Sequence, residues 1–272
     1  MILRKLIFIL VISITFLTAA NVDTLRVISG SMEDTLSAIV VVPDSSKLQG
    51  NLPVVYLLHG YSGNYTDWSG KMDLRPLAER FQVIIVCPEG GYDSWYLDSP
   101  LQEKSQYESH IINELIPLVD SSFPTSPQKS ARAITGLSMG GHGALYLAIR
   151  HSNLFTAVGS MSGAMDLVPL KDKYGIAQKI GPYEEYAERW TSNSITHMVD
   201  QAKQAELQLL LDCGIEDIFI ESNREVHQKL LFGEIPHTYV ERPGGHSWNY
   251  WTNALPDHLM FFNKIFGPTT VK

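Results

Sequence analysis

The pentapeptide Gly136-Leu137-Ser138-Met139-Gly140 can do nucleophilic chemistry if the chain around it folds in one particular way. The largely apolar stretch Ala131-Arg132-Ala133-Ile134-Thr135 precedes it and reads as a buried strand. From Gly140 to His151, Leu145, Ala148 and Ile149 recur at helical spacing,. Strand, sharp turn and helix is the context in which G-x-S-x-G becomes a nucleophile elbow. The turn forces the serine backbone into a strained conformation, and the two glycines omit Cβ atoms that would strike the neighbouring strand and helix. Ser138 Oγ is then held out at the carboxyl edge of a sheet, with the Met139 N–H at a helix N-terminus.

A serine hydroxyl needs a general base, and the base needs a carboxylate to orient it. In the chain order Ser…Asp/Glu…His, both partners lie downstream, in loops at strand ends. Nine histidines compete. His142 lies one turn past Ser138 and points along the helix flank rather than back at Oγ. His110 falls in a helix centre, and His151 and His227 fall on helix surfaces. His246 differs: it sits in Pro243-Gly244-Gly245-His246-Ser247-Trp248, a glycine-rich loop just past the last strand, and is the expected base. Asp217, in the loop Gly214-Ile215-Glu216-Asp217, is the expected acid. Asp212, still inside the strand, is its rival, and Glu216 faces the other way. The segment Leu57-Leu58-His59-Gly60-Tyr61-Ser62-Gly63 follows the third strand, from which a second oxyanion donor would come,. The expected donors are the N–H groups of Tyr61 and Met139, each worth ~3–4 kcal/mol of barrier. His59 is expected to buttress this loop.

These loops need a sheet to hold them. Candidate strands are Asp23–Ser29, Leu36–Val42, Val54–Leu58, Val83–Cys87, Arg132–Thr135, Ala157–Met161, Leu207–Cys213 and His237–Glu241. Several are continuous apolar runs, the pattern of strands covered on both faces. Helical patterns run over Gln106–Val119, over Ile220–Phe232 with Gly233 as a C′ glycine, and over Pro256–Phe266,. The first two strands read as a hairpin, and strand and helix then alternate. The prediction is one α/β domain over 21–272, with a mostly parallel central sheet, an antiparallel start and helices on both faces. The irregular stretch Gly163–Gln204, with Tyr174, Tyr183, Tyr186 and Trp190, reads as a lid-like insertion,.

Composition bounds the rest. The chain has 272 residues, 44% hydrophobic and 18% charged, enough for a large core,. A formal net charge of −8 argues against nucleic-acid or anionic-membrane partners,. Met1–Ala20 has a basic start at Arg4-Lys5, an apolar run from Leu6 to Leu17 and small residues at Thr18-Ala19-Ala20, the pattern of a cleaved signal peptide,. Periplasmic or extracellular location follows as an expectation; an uncleaved N-terminal anchor is the alternative. The two cysteines, Cys87 and Cys213, end strands that are not neighbours and are expected to stay free,.

Leu58-His59-Gly60, Gly136-Leu137-Ser138-Met139-Gly140-Gly141-His142-Gly143, Cys213-Gly214-x-x-Asp217 and Gly244-Gly245-His246-Ser247-Trp248 together resemble the esterase D-type branch of the α/β-hydrolases. That branch includes S-formylglutathione hydrolases, tributyrin esterases, bacterial feruloyl esterases and mycolyltransferases. The resemblance implies a triad of Ser138, Asp217 and His246, needing no metal and no cofactor. Gly90-Gly91-Tyr92-Asp93-Ser94-Trp95-Tyr96 is similar to a family loop beside the acyl pocket, and Trp95, Tyr96 and Trp248 are expected to line that pocket. The implied activity is a secreted carboxylesterase acting on short-chain or aromatic, feruloyl-type acyl esters, free or linked to polysaccharide. An acyltransferase with the same triad, or a non-catalytic carbohydrate-binding module, is the alternative.

Overall fold

Along Val54–Leu58 every residue is buried, yet alternate side chains enter different cores: Val54, Tyr56 and Leu58 pack on one side, Val55 and Leu57 on the other. A strand with this period-two pattern and no polar face has to be covered twice. The computed structural model, which describes residues 20–44 and 50–267, shows both covers. The expected signal segment lies outside the described residues, save Ala20. Among the described residues no helix is long and apolar enough to cross a membrane.

In chain order the elements are β1 (Asn21–Ser29), β2 (Asp34–Val42), β3 (Val54–Leu58), α1 (Asp67–Lys71), α2 (Arg75–Phe81) and β4 (Ile84–Pro88). Then come α3 (Tyr107–Ser109), a π-helical stretch His110–Leu115, α4 (Ile116–Ser122), β5 (Arg132–Gly136), α5 (Met139–Arg150) and β6 (Ala157–Met161). The chain continues through α6 (Ile176–Ile180), α7 (Tyr183–Ser192), α8 (Val199–Ala205), β7 (Gln208–Gly214), α9 (Ile220–Phe232), β8 (His237–Arg242) and α10 (Trp248–Phe266). The sheet order is β1-β2-β4-β3-β5-β6-β7-β8. β1 and β2 form an antiparallel hairpin, β2 joins β4 antiparallel, and the remaining pairings are parallel. One core holds α5, the π-helical stretch and α9; the other holds α2 and α10.

Three expectations are corrected in detail. The helix expected over 106–119 is not a regular α-helix: it passes through the π-helical stretch just before Pro117, whose missing N–H and ring disrupt the ladder one turn upstream,. The last helix begins at Trp248, not at Pro256. Ser247 caps it by accepting from the Tyr250 N–H, and Pro256 sits inside it,. Gly233 ends α9 with φ −75°, and the left-handed residue is the next one, Glu234 (φ 55°).

Cys87 and Cys213 are free and buried. Three strands separate β4 from β7, so the thiols lie roughly 19 Å apart at ~4.8 Å per strand, beyond any disulfide. Burial pushes both thiols well above their usual range. Both should therefore react with a thiol reagent after denaturation without reductant. Finding no titratable thiol would contradict this strand order.

Candidate active site

The elbow has the backbone its composition requires. Ser138 adopts φ 54° and ψ −117°, a region that costs a non-glycine residue roughly 1–3 kcal/mol,. The flanking strand and helix hold it there: Ser138 N–H donates to the Met161 carbonyl (2.9 Å), and His142 N–H to the Ser138 carbonyl (3.0 Å). A Cβ on Gly136 would sit 2.5 Å from the Gly140 carbonyl oxygen, and one on Gly140 would sit 2.8 Å from Leu58 Cβ. Only glycine permits so tight a return of the chain across β3.

Parallel pairing puts the carboxyl ends of β3, β5, β7 and β8 on one edge, and the loops after them carry the four candidate segments. The structure brings Ser138, His246 and Asp217 together. His246 Nε2 lies 2.9 Å from Ser138 Oγ, and His246 Nδ1 lies 2.9 and 3.0 Å from the two Asp217 oxygens. An ionised carboxylate only accepts, so the Nδ1–H donates to Asp217 and the Nε2 lone pair faces the serine hydroxyl. Asp217 is fully buried and also accepts from the Phe219 N–H at 2.8 Å. The imidazole is about 20% exposed, with the edges of Phe219 and Trp251 against it at 5.1 and 4.9 Å.

The rival residues are occupied elsewhere. Asp212 accepts from Tyr250 Oη and, at 2.6 Å, from Arg242. Burial pushes its carboxyl up, but His258, Tyr250 and Arg242 outweigh that and hold it below the usual carboxylate range,. His142 bonds the Asn193 carbonyl at 2.7 Å, and burial holds its imidazole down at about 4, neutral at physiological pH. His110 pairs with Glu114 at 2.9 Å, His151 with Glu108 at 2.7 Å, and His227 with His237 at 2.7 Å.

Tyr61 lies beside the elbow, in the turn after β3. Among the described residues nothing accepts from the N–H of Tyr61 or of Met139. His59 sits beneath this turn. Its Nε2 accepts from the Gly90 N–H (2.8 Å), so its Nδ1–H donates to the Gly60 carbonyl (2.8 Å) and ties the turn to the loop after β4,.

A cavity of about 360 Å³ opens over Ser138 and His246. Trp95 and Trp248 line it, as does Tyr61. Tyr96 does not: it is wholly buried, with its hydroxyl donating to the His59 carbonyl at 3.0 Å. The expectation for Tyr96 is corrected on this point, because consecutive left-handed residues at Trp95 (φ 57°) and Tyr96 (φ 58°) turn the two rings apart. The 163–204 segment reaches the cavity through Tyr174, whose carbonyl accepts from Trp95 Nε1 at 3.0 Å. Sequence reasoning missed Asp67, Ile218, Phe219 and Trp251. Trp251 was legible in principle, since it shares a helix face with Trp248 three residues earlier once α10 is extended back.

Known proteins resemble the chain along most of its length. The chain is 29% identical over 228 residues to an acetyl esterase of Caldicellulosiruptor saccharolyticus, covering 79% of this chain and 85% of that one. It is 28% identical over 260 residues to a diacylglycerol acyltransferase/mycolyltransferase of Mycobacterium leprae, covering 80% and 77%. A solved ferulic acid esterase superposes with a TM-score of 0.79 at 29% identity, covering 92% of this chain and 99% of that one. Residues 29–262, nearly the whole described fold, match the Esterase family. The chain belongs to that family, and it is a serine hydrolase of α/β-hydrolase fold acting on carboxylic ester bonds.

Proposed function

We propose that the protein is an exported carboxylesterase in which Ser138, His246 and Asp217 form the triad and the Tyr61 and Met139 N–H groups form the oxyanion hole. The observation that carries this reading is the unbroken chain from Asp217 through His246 to Ser138 Oγ, with bonds of 2.9 Å at both ends. Ser138 Oγ attacks the ester carbonyl as Nε2 takes its proton, and Asp217 stabilises the resulting imidazolium. The tetrahedral oxyanion receives the two free N–H groups. Collapse expels the alcohol with the proton from Nε2. Water, deprotonated by the same nitrogen, then releases the acid and restores the serine. The Met1–Ala20 pattern supports action outside the cytoplasm,. Labelling of Ser138 by a fluorophosphonate, with release of acid from p-nitrophenyl acetate, tests the reading. No labelling together with no turnover would refute it.

The acyl half should be short or flat. A cavity of about 360 Å³ is at the small end of ligand pockets, and Trp95 and Tyr174 give it aromatic walls,. The wild type should show higher kcat/KM on methyl ferulate or p-nitrophenyl butyrate than on p-nitrophenyl palmitate. Trp95→Ala should change that order or lower all three rates, because it also frees the Tyr174 carbonyl. A wild type preferring palmitate, or a Trp95→Ala enzyme indistinguishable from it, would remove Trp95 from the site. The likeness to the mycobacterial acyltransferase supports a second reading, in which an alcohol outcompetes water for the acyl-enzyme. Product analysis with an added alcohol acceptor separates the two.

A further inference from the structure

We propose that Asp67 and Trp248 form the subsite for the alcohol half of the ester, and that the alcohol is an uncharged polyol, a sugar with a free hydroxyl beside the esterified one. This rests on the esterase reading above. The leaving oxygen takes its proton from His246 Nε2, so the alcohol must leave on the His246 side of Ser138. On that side stands a cluster of three indoles, of which Trp248 and Trp251 line the cavity and Trp68 is buried behind them. Trp251 packs its ring on His246 at 4.9 Å, Trp248 on Trp251 at 5.5 Å and Trp68 on Trp248 at 5.2 Å. Asp67, next to Trp68 in α1, lines the cavity there and is its one acidic residue. The opposite wall, with Tyr61 on Tyr174 at 5.2 Å and Tyr174 on Trp95 at 6.4 Å, is left for the acyl group. Trp248, expected beside the acyl group, is thus assigned to the alcohol.

The chemistry of this wall selects its ligand. Among the described residues no ion pair or side-chain hydrogen bond holds the Asp67 carboxylate, although its neighbours Asp73 and Glu89 both have partners. A carboxylate only accepts, and its two oxygens can take the hydroxyl protons of a diol. An indole offers broad apolar area to the C–H face of a sugar ring. The Asp67 charge and the net charge of −8 oppose an anionic alcohol, against the single positive charge of Lys71, whose Nζ lies 5.7 Å from the Trp248 ring centroid,. A neutral polyol satisfies all three features.

The test compares esters that share an acetyl group: p-nitrophenyl acetate, an acetylated methyl glucoside and the corresponding acetylated methyl glucuronide. In the wild type at low salt, kcat/KM for the glucoside should exceed that for the glucuronide by about tenfold. In Asp67→Asn the glucoside-to-p-nitrophenyl ratio should fall about tenfold, mostly through KM, and the glucoside-over-glucuronide preference should shrink toward parity. Trp248→Ala should lower the first ratio while keeping the preference between the two sugars. Circular dichroism and melting curves report that each variant is folded. If the wild type opens all three esters and Asp67→Asn keeps both ratios within about twofold, the subsite is wrong while the esterase stands. A wild type that opens none of them and resists fluorophosphonate overturns both.

Discussion

Ser138→Ala should lower kcat by on the order of 10⁵–10⁶, and His246→Ala by about the same, because the members of a triad act as a unit. The double variant should therefore be scarcely worse than either single one. The physical reason lies in the bond from Ser138 Oγ to His246 Nε2 at 2.9 Å: without the hydroxyl there is nothing to deprotonate, and without the imidazole nothing to take the proton,. Residual turnover would come from the Tyr61 and Met139 N–H groups and from substrate positioning. Neither substitution should unfold the protein. Alanine can occupy the Ser138 backbone position at a similar cost, and His246 is partly exposed at the cavity. Single-turnover and steady-state rates on p-nitrophenyl acetate, alongside melting curves, give the comparison. Losses that multiply in the double variant would show that the two residues act separately.

Asp217→Asn should cost roughly 10⁴ in kcat with little change in KM. An amide at this position can donate to Nδ1, which places the imidazole proton on Nε2, the wrong side for a base. Asp212→Asn is the informative control, because both residues lie at the carboxyl end of β7 and both are buried. Asp212 serves the fold: it receives Arg242 from β8 and Tyr250 from α10, and so ties together the elements on either side of His246. Its loss should show as roughly 1–3 kcal/mol of stability and a Tm lower by several degrees, with most turnover kept in the folded enzyme. If Asp212→Asn abolished turnover at an unchanged Tm while Asp217→Asn stayed active, the acid would have to be reassigned.

Much of this arrangement is legible along the chain, for local reasons. The inner parallel strands are mostly apolar runs bounded by turn residues, because both their faces are covered, so that Val54–Leu58 and Ala157–Met161 are legible to the residue; the edge strand β8 is mixed in type and partly exposed,. The elbow is legible because its constraint is local: two glycines bracket Ser138 wherever a strand must turn at once into a helix. His246 and Asp217 stand out because they follow strand-like runs in loops with the freedom to reach across an edge.

Composition, strand pattern and loop position were enough for an α/β sheet, for the chain order of Ser138, Asp217 and His246, and for two thiols too far apart to join. Tertiary structure alone decided which aromatic rings face the cavity. Trp95 and Tyr96 are adjacent and similar in type, yet only Trp95 enters, because their left-handed backbones send one ring toward Tyr174 and the other under His59. Trp251 and Asp67 join the cavity from α10 and α1, which follow an edge strand and a central strand and meet only through packing such as Trp68 on Trp248. A strand or an elbow depends on neighbours within a few residues, so its sequence records it. A cavity wall is made of residues from distant segments, and only their packing decides which side chain fills the gap.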